Sequence, residues 1–255
     1  MLRTRVIPVL LLQQGGLVKG QQFKNHKYVG DPINAVKIFN EKEVDELIFL
    51  DISATSENRE PDYDLIADIA SEAFMPFGYG GGITSVHQIE KLFSIGVEKV
   101  IINTSAFNNP NLITEAARIS GSQSIVVSID VKKSLFGSYE VFVNNAQIKT
   151  KYDPVVYAKK MQNLGAGELI LSSIDREGSA KGYDLHLIDK VADSVDIPVV
   201  ALGGAGSLQD LADAKNQTSV SGLAAGNMFV FHGKHKAVLI TYPKYSELEK
   251  LFSQV

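Results

Sequence analysis

The second half of this 255-residue chain repeats the first, and the repeat leaves few folds open. Val6-Ile7-Pro8-Val9-Leu10-Leu11 lies over Ile125-Val126-Val127-Ser128-Ile129-Asp130. Further along, Glu46-Leu47-Ile48-Phe49-Leu50-Asp51-Ile52-Ser53 lies over Glu168-Leu169-Ile170-Leu171-Ser172-Ser173-Ile174-Asp175, and Gly81-Gly82 over Gly203-Gly204. Each half reads as strand-plus-helix units. A half-barrel has open sheet edges, and two halves close each other into eight strands around a pseudo-twofold axis. The expectation is an α/β fold, a single (β/α)8 TIM barrel over 1–255 with half-barrels of about 1–122 and 123–255; such barrels are typically ~250 residues long. Matching positions should then face each other across the barrel mouth.

Short apolar runs near 5–11, 47–52, 76–79, 99–102, 124–130, 168–173, 198–202 and 221–225 predict parallel strands covered by helices. Helical periodicity lies between them, over Pro32 to Asn40, Tyr63 to Ala73, Val86 to Ser94, Leu112 to Ile119, Pro154 to Leu164 and Leu185 to Val195. Asp31-Pro32, Asp62, Asn109-Pro110 and Asp153-Pro154 place a capping side chain beside or near a proline that the first turn tolerates. Gln13-Gln14-Gly15-Gly16 reads as a loop. After Asn227-Met228-Phe229 no clean eighth helix appears until Tyr245 to Phe252.

A formal net charge of −4 without a Lys/Arg block argues against nucleic acid or an anionic membrane surface as partner. Cysteine is absent, which removes disulfides and thiolate metal sites. Met1 to Leu12 imitates a signal peptide faintly, but without a small-residue cleavage site it reads as a buried first strand. No apolar run approaches the ~18 residues of a membrane span. The five histidines, His26, His87, His186, His232 and His235, form no His-Glu-x-x-His motif, so no metal is expected. Neither a Gly-x-Ser-x-Gly elbow nor a P-loop is present.

Barrels of this kind do chemistry in the loops after the strands. Gly80-Gly81-Gly82 follows the third strand, Asn103-Thr104 the fourth, Gly203-Gly204-Ala205-Gly206-Ser207 the seventh and Ala224-Ala225-Gly226-Asn227 the eighth. Small residues let backbone N–H groups approach an anion, and a following helix N-terminus adds partial positive charge. Any one loop could be a tight turn and nothing more. Two related pairs in register predict two phosphate cradles on opposite sides of one mouth, suited to a molecule with a phosphate at each end. At the opposite face Arg5, Glu46, Lys99 and Glu168 each start a strand; they are either ordinary surface charges or alternating ion pairs that close the barrel floor.

These residues resemble a known family, the cyclase subunit of imidazole glycerol phosphate synthase (HisF) and its paralogues in surface-polysaccharide gene clusters. The resemblance runs from Met1 to about Phe231, through Val18-Lys19-Gly20, Gly30-Asp31-Pro32, Asp45-Glu46-Leu47, Gly80-Gly81-Gly82-Ile83, Ile102-Asn103-Thr104, Ser173-Ile174-Asp175-Arg176, Gly182-Tyr183-Asp184 and Gly203-Gly204-Ala205-Gly206. It implies that Gly82, Asn103 and Thr104 hold one phosphate of a ribulose-phosphate ribonucleotide, and that Gly178, Gly203, Gly204, Ala225 and Gly226 hold the other. It makes Lys19 the mobile-loop lysine, and Arg5, Glu46, Lys99 and Glu168 a gate admitting ammonia from a HisH-like glutaminase docked on the N-terminal barrel face. It implies a cytoplasmic enzyme without a cofactor.

The cyclase carries one aspartate after the first strand and one after the fifth, as proton delivery and removal at distinct places require. Asp130 matches the second. Leu11 occupies the first and cannot carry a proton, and neither Leu10 and Leu12 nor Gln13 substitutes. Asp51 or Asp175 could serve instead, with Ser173 as a further polar group at the mouth. The missing carboxylate with a retained gate favours the paralogue branch, which Lys27 to Glu43, Arg59-Glu60-Pro61-Asp62-Tyr63 and the tail Phe229 to Lys234 also resemble. For that branch the expectation is ammonia-dependent amidination of an acetamido sugar carried on a nucleotide, for O-antigen or related surface polysaccharide, with a separate ATP-dependent amidotransferase. The alternatives are an authentic cyclase–lyase of histidine biosynthesis and a non-catalytic scaffold for a glutaminase.

Overall fold

A computed structural model describes residues 4–233 and 237–253. Its barrel strands are β1 (Arg5–Gln13), β2 (Leu47–Asp51), β3 (Phe77–Gly80), β4 (Lys99–Ile102), β5 (Ile125–Lys133), β6 (Glu168–Ser173), β7 (Val199–Leu202) and β8 (Gly222–Ala225). Each pairs in parallel with its neighbours, β5 pairs with β6 and β8 with β1, so the cylinder closes as a (β/α)8 barrel. Closure removes the edges that either half would expose. The outer helices are α1 (Pro32–Glu41), α2 (Tyr63–Glu72), α3 (Val86–Ile95), α4 (Asn111–Ser120), α5 (Pro154–Asn163), α6 (Leu185–Ala192), α7 (Leu208–Gln217) and α8 (Tyr245–Ser253).

Helix starts follow the local chemistry. Asp31, Asp62 and Asp153 each accept a backbone N–H of the first turn. The fourth expected cap fails: Pro110 itself occupies the cap position of α4, without a side-chain bond, because it already has helical dihedrals. Ser85 with Gln88 and Ser207 with Asp210 form reciprocal capping boxes at α3 and α7. These pairs are repeat mates, so the twofold relation extends to how the helices begin.

Two layers of packing result. The larger core lies between strands and helices, around Phe39, Phe49, Tyr79, Tyr157 and Phe229. The smaller fills the barrel with Ile7, Val9, Ile48, Ile101, Val126, Ile170, Val200 and Ala224. Leu11, Leu50 and Leu202 form an apolar collar against that inner cluster, on its mouth side.

The segment read as a loop from Gln13 is a hairpin. β1 runs on to Gln13, and Gln14 and Gly15, with φ of 50° and 77°, turn the chain into an antiparallel ribbon of Gly16–Gln21 and Lys24–Gly30. Positive φ at both central residues matches the right-handed twist of the strands. The second half has its own ribbon, Tyr139–Val143 and Ile148–Lys149, paired to the end of β5. Each half thus raises a two-stranded arm over the mouth.

The chain after β8 departs from a regular eighth unit. A short helix Asn227–Val230 leads into an antiparallel bridge of Phe231–His232 with Ala237–Val238, and only then into α8. Lys234 and His235 lie outside the described residues.

Candidate active site

The C-terminal ends of the strands enclose a cavity of about 360 Å³ that most of the expected mouth residues line. On one side stand Asn103, Ser128, Asp130 and Ser172; on the other, the collar leucines Leu11, Leu50 and Leu202. The wall is therefore polar around β4–β6 and apolar around β1, β2 and β7.

Asp130 is 8% exposed, and its carboxylate accepts from Asn103 Nδ2 at 3.3 Å and from Ser128 Oγ at 3.4 Å. Burial raises its pKa to about 7, against the opposing pull of the Ser128 bond. A carboxyl poised near neutrality can both give and take a proton, the property expected of a general acid–base group. Ser128 shares its strand face because strand residues two apart point the same way. The period of two already offered that signal.

Neither aspartate expected as a substitute is free to stand in for the acid missing at Leu11. Asp51 lines the cavity, but its Oδ1 accepts from Ser53 N at 2.9 Å, Ser53 Oγ at 2.9 Å and Ala54 N at 3.0 Å, and its Oδ2 faces Arg59 at 3.3 Å. That carboxylate is committed to the β2–α2 turn. Asp175 is outside the cavity lining and accepts from the Lys133 backbone N–H at 2.8 Å. Ser172, not Ser173, faces the cavity, since Ser172 is the residue in register with Asp130.

The first ribbon buries Lys19, whose Nζ donates to the Val9 carbonyl at 2.5 Å. Burial lowers its pKa to about 8, opposed by the neighbouring Glu177, whose own carboxyl burial pushes up. Lys19, His26 and Glu177 all line the cavity. The Gln22 backbone N–H reaches the Glu177 carbonyl at 3.1 Å, so this arm docks on the β6–α6 loop that carries Gly178. The second arm lies across the other side: Asn144 N donates to Thr104 Oγ1 at 3.0 Å, and Asn145 Nδ2 to the Ile52 carbonyl at 2.5 Å. Asn145 and Gln147 were missed from sequence, although Asn144-Asn145 between the alternating runs Tyr139–Val143 and Gln147–Lys149 is a hairpin signal.

The two proposed cradles share one geometry. Gly81 and Gly203 have φ of 130° and 97°, and a Cβ would stand 2.5 Å from the Asp51 carbonyl oxygen and 2.8 Å from that of Ser173, its repeat mate. Gly82 and Gly204 also have positive φ. Beside each pair begins a short helix, Thr104–Asn108 capped by Asn103 and Asn227–Val230 capped by Gly226, with no side chain on its first N–H groups. Gly82, Asn103 and Thr104 line one side of the cavity, and Gly178, Gly203, Gly204, Ala225 and Gly226 the other. Free backbone donors at a helix start suit a phosphate.

At the far end of the inner cluster the four strand-start charges meet. Arg5 pairs with Glu46 through Nη1 and with Glu168 through Nη2, while Lys99 Nζ lies 3.0 Å from Glu46 Oε1 and 2.7 Å from Glu168 Oε2. The result is a closed ring of alternating sign. Burial opposes the charge on Arg5, but the bonds and attraction from Glu168 and Glu46 together hold its pKa above the usual value. Between the ring and Asp130 the barrel interior is apolar, which favours a neutral passenger over a charged one.

Among the described residues no cluster of His, Cys, Asp or Glu could hold a metal ion, and no helix is long and apolar enough to cross a membrane. Fold and site together define a half-barrel-repeat protein with one mouth between two matching glycine-lined loops and a charged floor. The chain belongs to the HisF family of histidine biosynthesis proteins: the family model described as "Histidine biosynthesis protein" matches residues 5–236. It is 54% identical over 249 residues to "Putative imidazole glycerol phosphate synthase subunit hisF2" of Pseudomonas aeruginosa, covering 98% of this chain and 99% of that one. It is 53% identical to "Putative imidazole glycerol phosphate synthase subunit hisF3" of Vibrio vulnificus, covering 98% and 96%. To "Imidazole glycerol phosphate synthase subunit HisF" of Streptococcus mutans the identity is 41% over 229 residues, covering 90% and 91%.

Proposed function

We propose that this chain is the ammonia-using synthase subunit of a glutamine amidotransferase of the imidazole glycerol phosphate synthase type. One observation carries the reading: a ring of four charges and a buried carboxyl near neutrality stand at opposite ends of one apolar interior. A HisH-like glutaminase over the ring releases ammonia, the apolar interior passes it in the neutral form, and the mouth consumes it. The names of the relatives support the cyclase–lyase reaction there, on a ribonucleotide held by a phosphate in each cradle. Lys19 orients the substrate from the first arm, and Asp130 transfers protons. With Leu11 opposite, Asp130 gives and takes in turn where a second acid would divide the work, and slow cyclase turnover follows.

Leu11 favours a second reading. An acceptor needing only one acid–base group fits this mouth, and amidination of a nucleotide-linked acetamido sugar, activated by a separate ATP-dependent amidotransferase, is such a reaction. Among the residues of the mouth, Leu11 alone supports that reading.

Lys99→Ala tests the shared part of both readings. In the complex with its glutaminase, product formed from glutamine should fall by about tenfold or more, against a smaller change with saturating ammonium, since a ring member lost is worth roughly 3–5 kcal/mol of local order. Glutamine and ammonium used in the wild-type ratio would make the ring a structural plug.

A further inference from the structure

The floor ring is held differently in its two halves. In a staggered barrel the first strand starts below its neighbour, which leaves backbone groups at its foot without a ladder partner. β1 meets β2 only from Val9 opposite Ile48, so Val6, whose amide and carbonyl face that side, lies beneath the ladder. The side chain of Asp45 accepts the Val6 N–H at 2.9 Å. The Val6 carbonyl accepts from Tyr242 Oη at 2.9 Å, and the same hydroxyl stands 3.5 Å from Asp45 Oδ2. In the second half the repeat mate of Val6 is Ile125, and its carbonyl is bonded by the backbone N–H of Gly167, the mate of Asp45, at 3.0 Å. One half closes its own foot, and the other borrows a hydroxyl from 236 positions along the chain.

The borrowed contact is next to the gate residues. Arg5 precedes Val6, Glu46 follows Asp45, and Arg5 and Glu46 pair with each other in the ring. Tyr242 reaches this place because the segment before α8 lies back along the short helix after β8, with Leu239 N bonded to the Val230 carbonyl at 2.9 Å and Thr241 N to that of Phe229 at 3.0 Å. Its ring packs on Phe229, centroids 5.4 Å apart, which fixes the direction of the hydroxyl.

We propose that Tyr242 is a positioning residue of the floor ring: through Val6 and Asp45 the C-terminal segment sets the Arg5–Glu46 half of the gate. Its effect on ammonia passage rests on the amidotransferase reading above; its effect on ring geometry does not. The contacts above run from Tyr242 to Val6 and Asp45, so its effect on the ring is read at Lys99, which a purely local role of the hydroxyl would leave unchanged.

The test uses the full-length chain with 15N-labelled lysine. The Lys99 ammonium, bonded to both glutamates, should exchange its protons slowly in the wild type. Tyr242→Phe keeps the ring on Phe229 and removes only the hydroxyl, and should speed Lys99 exchange about two- to tenfold, the factor equivalent to one ordinary net hydrogen bond. Asp45→Ala should act in the same direction. In the complex, Tyr242→Phe should lower product from glutamine by a similar factor while leaving the ammonium-driven rate at the wild-type value. Wild-type Lys99 exchange in Tyr242→Phe would overturn the proposal, as would an unchanged glutamine-to-ammonium ratio where Lys99→Ala has changed it. A ratio that Lys99→Ala also leaves alone would instead remove the channel, with the exchange result still deciding the ring.

Discussion

Leu11→Asp should raise cyclase turnover with ammonium and the ribonucleotide by about 10²–10⁴-fold, the usual contribution of one positioned acid–base group. Leu11 is at the mouth in register with Leu50 and across the cavity from Asp130, so the new carboxylate would restore the pair that the repeat implies. The pH profile should change with the rate. Asp130 alone gives one inflection near neutrality; two opposed carboxyls give a bell with two macroscopic pKa values. Full cyclase turnover in the unaltered protein, with no gain from Leu11→Asp, would mean that another group carries the proton.

Asp130→Asn should be the most damaging single change at the mouth, lowering product formation from ammonium by about 10²–10⁴-fold. The side chain keeps its shape and can still meet Asn103 and Ser128, so the loss isolates proton transfer. Stability should move the other way. The folded pKa of about 7 lies above the ordinary aspartate value of 3.8, so burial of the neutral acid is favourable at low pH and that advantage is lost as pH rises to about 7. Asparagine has nothing to ionise. Thermal midpoints of Asp130→Asn and wild type should therefore differ least below about pH 4, with the variant gaining on the wild type between about pH 4 and 7 and holding that gain above. Parallel pH curves would place Asp130 in a wetter, unperturbed setting.

Much of this was legible from the chain because the repeat fixes it twice. Strand positions, the glycine pairs at 81–82 and 203–204, and the ring of Arg5, Glu46, Lys99 and Glu168 all follow from matching halves around a closed barrel. What escaped depends on details that periodicity does not carry. Both arms over the mouth were missed: each is a hairpin with positive φ at a non-glycine residue, Gln14 in one, which carries a weak sequence signal, and Asn144 and Asn145 in the other, whose signal was present but overlooked. Ser173 and Asp175 were expected at the mouth, but one register step turns Ser173 away from the cavity and a backbone amide claims Asp175. The role of Tyr242 was invisible, because its partner Val6 is 236 positions away and Tyr242 lies in the irregular segment that precedes the eighth helix.

Isotope origin tests the central claim most directly. The complex with its glutaminase is run on amide-15N glutamine with unlabelled ammonium kept below the level that drives the reaction by itself yet in excess over the ammonia released, and the 15N content of the product is read by mass spectrometry. Ammonia passing through the ring and the apolar interior never mixes with the bulk, so the product should carry the label undiluted. Product whose 15N content matches that of the bulk ammonium pool would show that ammonia reaches Asp130 from solvent, and would contradict the account.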